Sequence, residues 1–65
     1  MDRQIYEIRM SELCDQYGAA RRLQCPLVAA ARMRKMVRLY AEYTGKSIAE
    51  SEDYLNTIYK PIKQY

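Results

Sequence analysis

Pro26 constrains this chain more than any other residue. Proline disfavours helical geometry at the residue before it and suits the first turn of a helix. Cys25-Pro26 is therefore a boundary, with a helix starting on its far side. A second boundary follows at Thr44-Gly45-Lys46, where Gly45 can take the left-handed conformation that closes a helix. Ser47-Ile48-Ala49-Glu50 then fits a capping box, in which the Ser hydroxyl accepts from the Glu amide and the Glu carboxylate reaches back. Two such breaks in 65 residues leave room for a few helices and little else.

The apolar spacing agrees. Tyr6, Met10, Leu13 and Tyr17 recur at steps of four, three and four, which puts them on one helical stripe with Cys14 beside it. A break at Ser11 or at Gly18 is open at this stage, so residues 2–23 form one helix or two. On a helical wheel Ala29, Ala30, Met33, Met36, Val37, Tyr40 and Tyr43 share one arc, and Arg34, Lys35, Arg38 and Glu42 share the opposite one. Arg38 and Glu42 are four apart and are placed to pair. Ile48, Leu55, Ile58 and Ile62 make the last stripe, with Tyr54 and Tyr59 at its edges and Pro61 ending or kinking the helix. No strand-like alternation and no repeat is present. The expectation is an all-α fold: a small bundle of three or four helices near 2–23, 26–43 and 47–60, forming one domain over residues 1–65. The expected core is Tyr6, Met10, Leu13, Tyr17, Leu23, Met33, Met36, Val37, Tyr40, Ile48, Leu55 and Ile58.

A chain this short buries only about 60% of the surface its unfolded form exposes. Small scaffolds usually add a disulfide, a metal or self-association. With no His and with Cys14 and Cys25 eleven apart, no metal and no cofactor are expected. The start at Met1-Asp2-Arg3-Gln4 is unlike an export signal. The expected setting is cytoplasmic, where thiols stay reduced, and both Cys are expected to be buried apolar residues. Self-association remains, and a homodimer is the expectation. No apolar run approaches the ~20 residues of a membrane span.

Charge is unevenly placed. Residues 1–18 carry Arg3 and Arg9 against Asp2, Glu7, Glu12 and Asp15, a net of −2. Residues 19–46 carry Arg21, Arg22, Arg32, Arg34, Lys35, Arg38 and Lys46 against Glu42 alone, a net of +6. Residues 47–65 carry Lys60 and Lys63 against Glu50, Glu52 and Asp53, a net of −1. A basic block of this kind points to an anionic partner. Catalysis is not expected. There is no His for acid–base work and no glycine-rich phosphate cradle, and the thiols lack a base beside them.

Gln16, Ala20, Leu23, Cys25, Ala30, Arg32 and Met33 follow the polar–small–apolar pattern of a helix-turn-helix. Over residues 16–35 the chain resembles the helix-turn-helix of small phage-type repressors and transcriptional regulators. The resemblance implies a dimeric DNA-binding regulator of transcription. Arg21, Arg22, Arg32, Arg34, Lys35 and Arg38 would be its phosphate contacts, which supply sequence-independent, salt-sensitive affinity. The family's turn glycine falls at Gln24, so the resemblance also implies a strained conformation there or a different turn. The base-reading positions would be Pro26, Leu27, Val28 and Ala31, which are apolar and make no bidentate contact to a base edge.

The alternative is a protein-binding inhibitor or adaptor, of the kind phages and mobile elements encode. Seven tyrosines exceed what so small a core covers, and Tyr is enriched at interfaces. Leu27 lies toward the cationic arc, where a lone monomer exposes it. Leu27, Val28, Tyr40, Tyr43 and Tyr59 are the candidate protein interface.

Overall fold

A computed structural model describes residues 1–59. Three helices follow in order: α1 (Arg3–Arg22), α2 (Pro26–Thr44) and α3 (Ile48–Ile58). No strand occurs among the described residues. α1 runs unbroken through Ser11 and Gly18. The expected stop at Pro61 and the stripe position Ile62 lie outside the described residues.

The α1–α2 turn is built by backbone hydrogen bonds. Cys25 N–H donates to the Ala20 carbonyl at 2.8 Å and Gln24 N–H to the Arg21 carbonyl at 3.1 Å. These are the two bonds of a Schellman motif, which needs a left-handed residue just past the cap. Here that residue is Gln24, with φ 58°. Pro26 then opens α2, where its missing N–H costs nothing. The second break is simpler. Gly45 is left-handed (φ 78°) and its N–H donates to the Ala41 carbonyl at 2.8 Å. The capping box forms as the sequence implies: Glu50 N–H donates to Ser47 Oγ at 3.1 Å, and Ser47 N–H donates to Glu50 Oε1 at 3.3 Å.

α1 and α2 are antiparallel neighbours, and Tyr6 stacks on Tyr43 across their far ends with centroids 4.0 Å apart. α3 packs on the other side of α2, and Tyr40 stacks on Tyr54 there at 4.8 Å. Among the described residues, α3 reaches α1 through its carboxyl end. There the Cys14 thiol donates to the Tyr59 hydroxyl at 3.0 Å and Tyr17 meets Tyr59 edge-on. The core is a cluster of Tyr17, Ala20, Ala29, Met36, Val37 and Leu55, with Met36 at 0% exposure and Leu55 at 3%. Met10, Leu13, Cys14, Met33, Tyr40 and Tyr59 pack on its edge.

Several core expectations need correcting. Leu23 is 74% exposed because it is the α1 cap residue and turns outward with the chain. Ile48 and Ile58 are exposed, since α3 has only one neighbour and covers only the arc around Ser51 and Leu55. Ala30 is exposed, while Leu39 and Ala41 are buried. α2 is covered on two sides, so its buried arc is wider than one amphipathic face. Cys25 is exposed and Cys14 half-buried; both are free thiols. Arg38 and Glu42 form no ion pair; among the described residues the one ion pair is Arg3–Glu7, at 3.1 Å on the surface.

Leu55→Ala should cost about 2–5 kcal/mol, whereas Ile48→Ala should change stability by no more than about 0.5 kcal/mol; paired thermal or urea melts measure both. Gln24→Gly should stabilise by about 1 kcal/mol, because the left-handed conformation strains an L side chain by roughly that much. An unchanged or lowered melting temperature for Gln24→Gly would show that the turn is not strained.

Candidate functional site

Among the described residues, the outer arc of α2 is the face of that helix that neither α1 nor α3 covers. α1 and α3 both pack on α2, and Ala29, Met36, Val37, Leu39 and Ala41 are the residues that this packing buries. What remains carries Leu27 and Val28 at the start, then Arg34, Lys35 and Arg38, then Glu42, all exposed. Leu27 is 85% exposed and Val28 46%. Arg34, Lys35 and Arg38 have no ion-pair partner among the described residues.

The six candidate cations do not form one surface. Arg21 is half-buried and turned onto Tyr17: its Nη1 donates to the Tyr17 hydroxyl at 3.3 Å, and its guanidinium sits 5.6 Å from the ring centre. Arg32 is half-buried with its Nε covered and without a hydrogen-bond partner among the described residues. Arg22 is exposed in the last turn of α1, where a cation suits the negative helix end. Only Arg34, Lys35 and Arg38 stand together. The candidate protein interface divides similarly. Leu27 and Val28 are on the surface, but Tyr40, Tyr43 and Tyr59 are half-buried and engaged by Tyr54, Tyr6 and Cys14 within the chain.

Among the described residues, three grooves bear on these elements. The largest, about 610 Å³, lies between the α1–α2 turn and α3 and is lined by Tyr17, Arg21, Cys25, Ala29, Met33 and Asn56 among others. The Cys25 thiol points to the Leu23 carbonyl at 3.7 Å; no general base adjoins it in this lining. A second groove, about 420 Å³, runs between α1 and α2 and gathers Arg9, Glu12, Lys35, Arg38 and Glu42. A third, about 180 Å³, puts Arg34 and Arg38 near Ile48 and Glu52. Among the described residues no cluster of three or more His, Cys, Asp or Glu is placed to hold a metal, and no helix is long and apolar enough to cross a membrane.

Wheel geometry could also have found Ile5 and Ile8. Both are exposed on the outer face of α1, off the stripe of Tyr6, Met10, Leu13 and Tyr17. Comparison with known families, characterised proteins and solved structures gives no match to the chain.

The Cys14–Tyr59 contact has an electrostatic signature. The hydrogen bond with Cys14, with burial adding to it, pushes the Tyr59 hydroxyl up to about 12. Burial, and after it the neighbouring tyrosines Tyr40, Tyr54 and Tyr43, raises Tyr6 as well. A raised acid holds its proton more tightly folded than unfolded. Its contribution is complete below the ordinary tyrosine value of 10.0 and is lost as pH climbs through the folded value, about 12 for Tyr59. The urea midpoint should therefore fall across that alkaline window. Tyr59→Phe should shallow the fall without abolishing it, because Tyr6 contributes in the same direction. An unchanged slope would remove Tyr59 from the argument.

Proposed function

We propose that this chain is a small non-enzymatic regulatory protein that acts by binding a macromolecule through the outer face of α2. The partner favoured by the geometry is a protein with an acidic and apolar docking surface, which makes the chain an inhibitor or adaptor of the kind phages and mobile elements encode. The observation that carries this is the continuity of Leu27 and Val28 with Arg34, Lys35 and Arg38 on one exposed face. Removing Leu27 from water is favourable only against another apolar surface. Unpaired guanidinium groups complement carboxylates, and Arg does so bidentately. A protein surface offers both at once, whereas a phosphate backbone offers only the anion.

DNA binding by a helix-turn-helix-like dimer is the second reading. Gln24 favours it, because a left-handed residue stands where the pattern of that family has its glycine. The same three cations would serve as phosphate contacts. The turn hydrogen bonds account for the Gln24 conformation without DNA, so this observation supports the second reading less than the exposed apolar start of α2 supports the first.

Titration with mixed-sequence duplex DNA across a salt series separates the two. The DNA reading expects binding that weakens steeply with salt and is lost when Arg34, Lys35 and Arg38 are all changed to Glu, with Leu27→Asp nearly silent. The protein reading expects no DNA binding at low salt, and partners captured by the tagged chain that are lost with Leu27→Asp and with the triple reversal alike. Partners that survive Leu27→Asp would sink it.

A further inference from the structure

The exposed face of α1 repeats, with opposite charge, the spacing of the exposed face of α2. On α1 the outer residues are Ile5, Ile8, Glu12 and Asp15; on α2 they are Val28, Ala31, Lys35 and Arg38. Both sets step by three, four and three. All are exposed except Ala31, which is half-buried. Neither carboxylate has an ion-pair partner among the described residues, and neither has either cation. Glu12 lines the same intrachain groove as Lys35 and Arg38 yet bonds to neither.

We infer that these two faces bind each other between copies of this chain: α1 of one copy lies parallel on α2 of the next. Sliding one helix along the other by the constant offset between the two sets aligns them over almost their whole length. Arg3 then meets Pro26 and Arg21 meets Thr44, a contact about 28 Å long at the α-helical rise. Ile5 faces Val28 and Ile8 faces Ala31 at one end, and Met1 and Leu27 flank them. Glu12 faces Lys35 and Asp15 faces Arg38 at the other. Steps of three and four are those of parallel helices packing in layers. In an antiparallel placement the same faces would set Ile5 and Ile8 against Arg38 and Lys35, so the pattern selects direction as well as partner. It also accounts for Met1, Ile5, Ile8, Leu27 and Val28, five of the large apolar residues that the isolated chain leaves in water.

The contact is head-to-tail. It uses α1 of one copy and α2 of the other, and leaves one face of each kind unused at the ends. Contacts of this type continue into rings or open chains rather than stopping at a two-fold dimer. It also covers Lys35 and Arg38, so self-association and the partner binding proposed above compete for one surface. The inference stands without that reading, since it needs only the charges and exposures of the two faces.

Sedimentation velocity over a wide concentration range, at low and high salt, tests it. The average mass should rise past the dimer with concentration and fall with salt. Glu12→Lys with Asp15→Lys should weaken association about tenfold or more, as should Lys35→Glu with Arg38→Glu. Mixing the two double variants should restore it, since each then supplies a complementary face; restoration also shows that both are folded. In a background with Cys14 and Cys25 changed to Ser, Ile8→Cys and Ala31→Cys chains should cross-link when mixed, while neither should cross-link alone. A monomer at every concentration overturns the proposal, and leaves the partner reading standing. A discrete dimer, a mixture that fails to recover, or cross-linking by Ile8→Cys alone overturns it too.

Discussion

α2 has to hide two of its faces at once, and most of the molecule follows from that. Among the described residues, the hydrogen bonds and ring contacts between α1 and α3 run through Tyr59, so both helices depend on the one between them. Met36 and Val37, side by side near the middle of α2, are both buried, and the cluster around them draws Tyr17 and Ala20 from α1 and Leu55 from α3. A helix of 19 residues covered on two sides has only one arc left for solvent. Its cations cannot be spread around the cylinder and so are concentrated there. The charged face of α2 is thus a consequence of packing before it is anything else. What packing does not explain is why Leu27 and Val28 share that arc.

The interlocks that hold the three helices together are largely aromatic. Tyr6 on Tyr43 closes the open end of the α1–α2 hairpin, and Tyr40 on Tyr54 fastens α3 to α2. Tyr59 ties the end of α3 back to Cys14 and Tyr17 on α1. Stacked rings contribute about 0.5–1.5 kcal/mol beyond the area they bury. In a domain too small for a deep core, such pairs at its periphery supply contacts that a larger protein takes from its interior. Tyrosine suits these places because each ring has an apolar face to bury and a hydroxyl that can stay wet or find a partner. Their number therefore has a structural use, which weakens the argument from tyrosine content to an external interface.

Helix boundaries were legible in the sequence because local chemistry sets them. Pro26, Gly45 and the Ser47–Glu50 box act within a turn of themselves, and the observed elements begin and end within a residue or two of where those signals place them, as far as the described residues extend. Burial was legible at the centre of each stripe: Tyr17 on α1, Met36 and Val37 on α2 and Leu55 on α3 are buried, with Tyr6, Met10 and Leu13 half-buried beside them. It failed for Leu39 and Ala41, because no wheel reveals that a second helix covers α2. It failed for Ile48 and Ile58, because an isolated stripe does not say how much of it the partner reaches. Of the candidate site, the grouping of Arg34, Lys35 and Arg38 was legible from their spacing. The withdrawal of Arg21 onto Tyr17 was not, because a four-residue spacing on α1 permits that contact without requiring it; nor was the half-burial of Arg32, which depends on tertiary packing.

The free face of α2 is better understood through its combination of groups than through its charge. Three surface cations are screened over roughly a Debye length and tolerate water well, so on their own they demand no partner. Leu27 and Val28 differ: exposed apolar groups on an otherwise polar arc gain from being covered whatever the salt. A purely electrostatic contact would be lost at high ionic strength and a purely apolar one would lack direction, whereas a face with both keeps an affinity and gains an orientation. The outer face of α1 combines the same two ingredients with the charge reversed. On the proposed head-to-tail contact, a chain carrying both faces would regulate its own availability, because the surface it would present to a partner is the surface that its neighbour would cover.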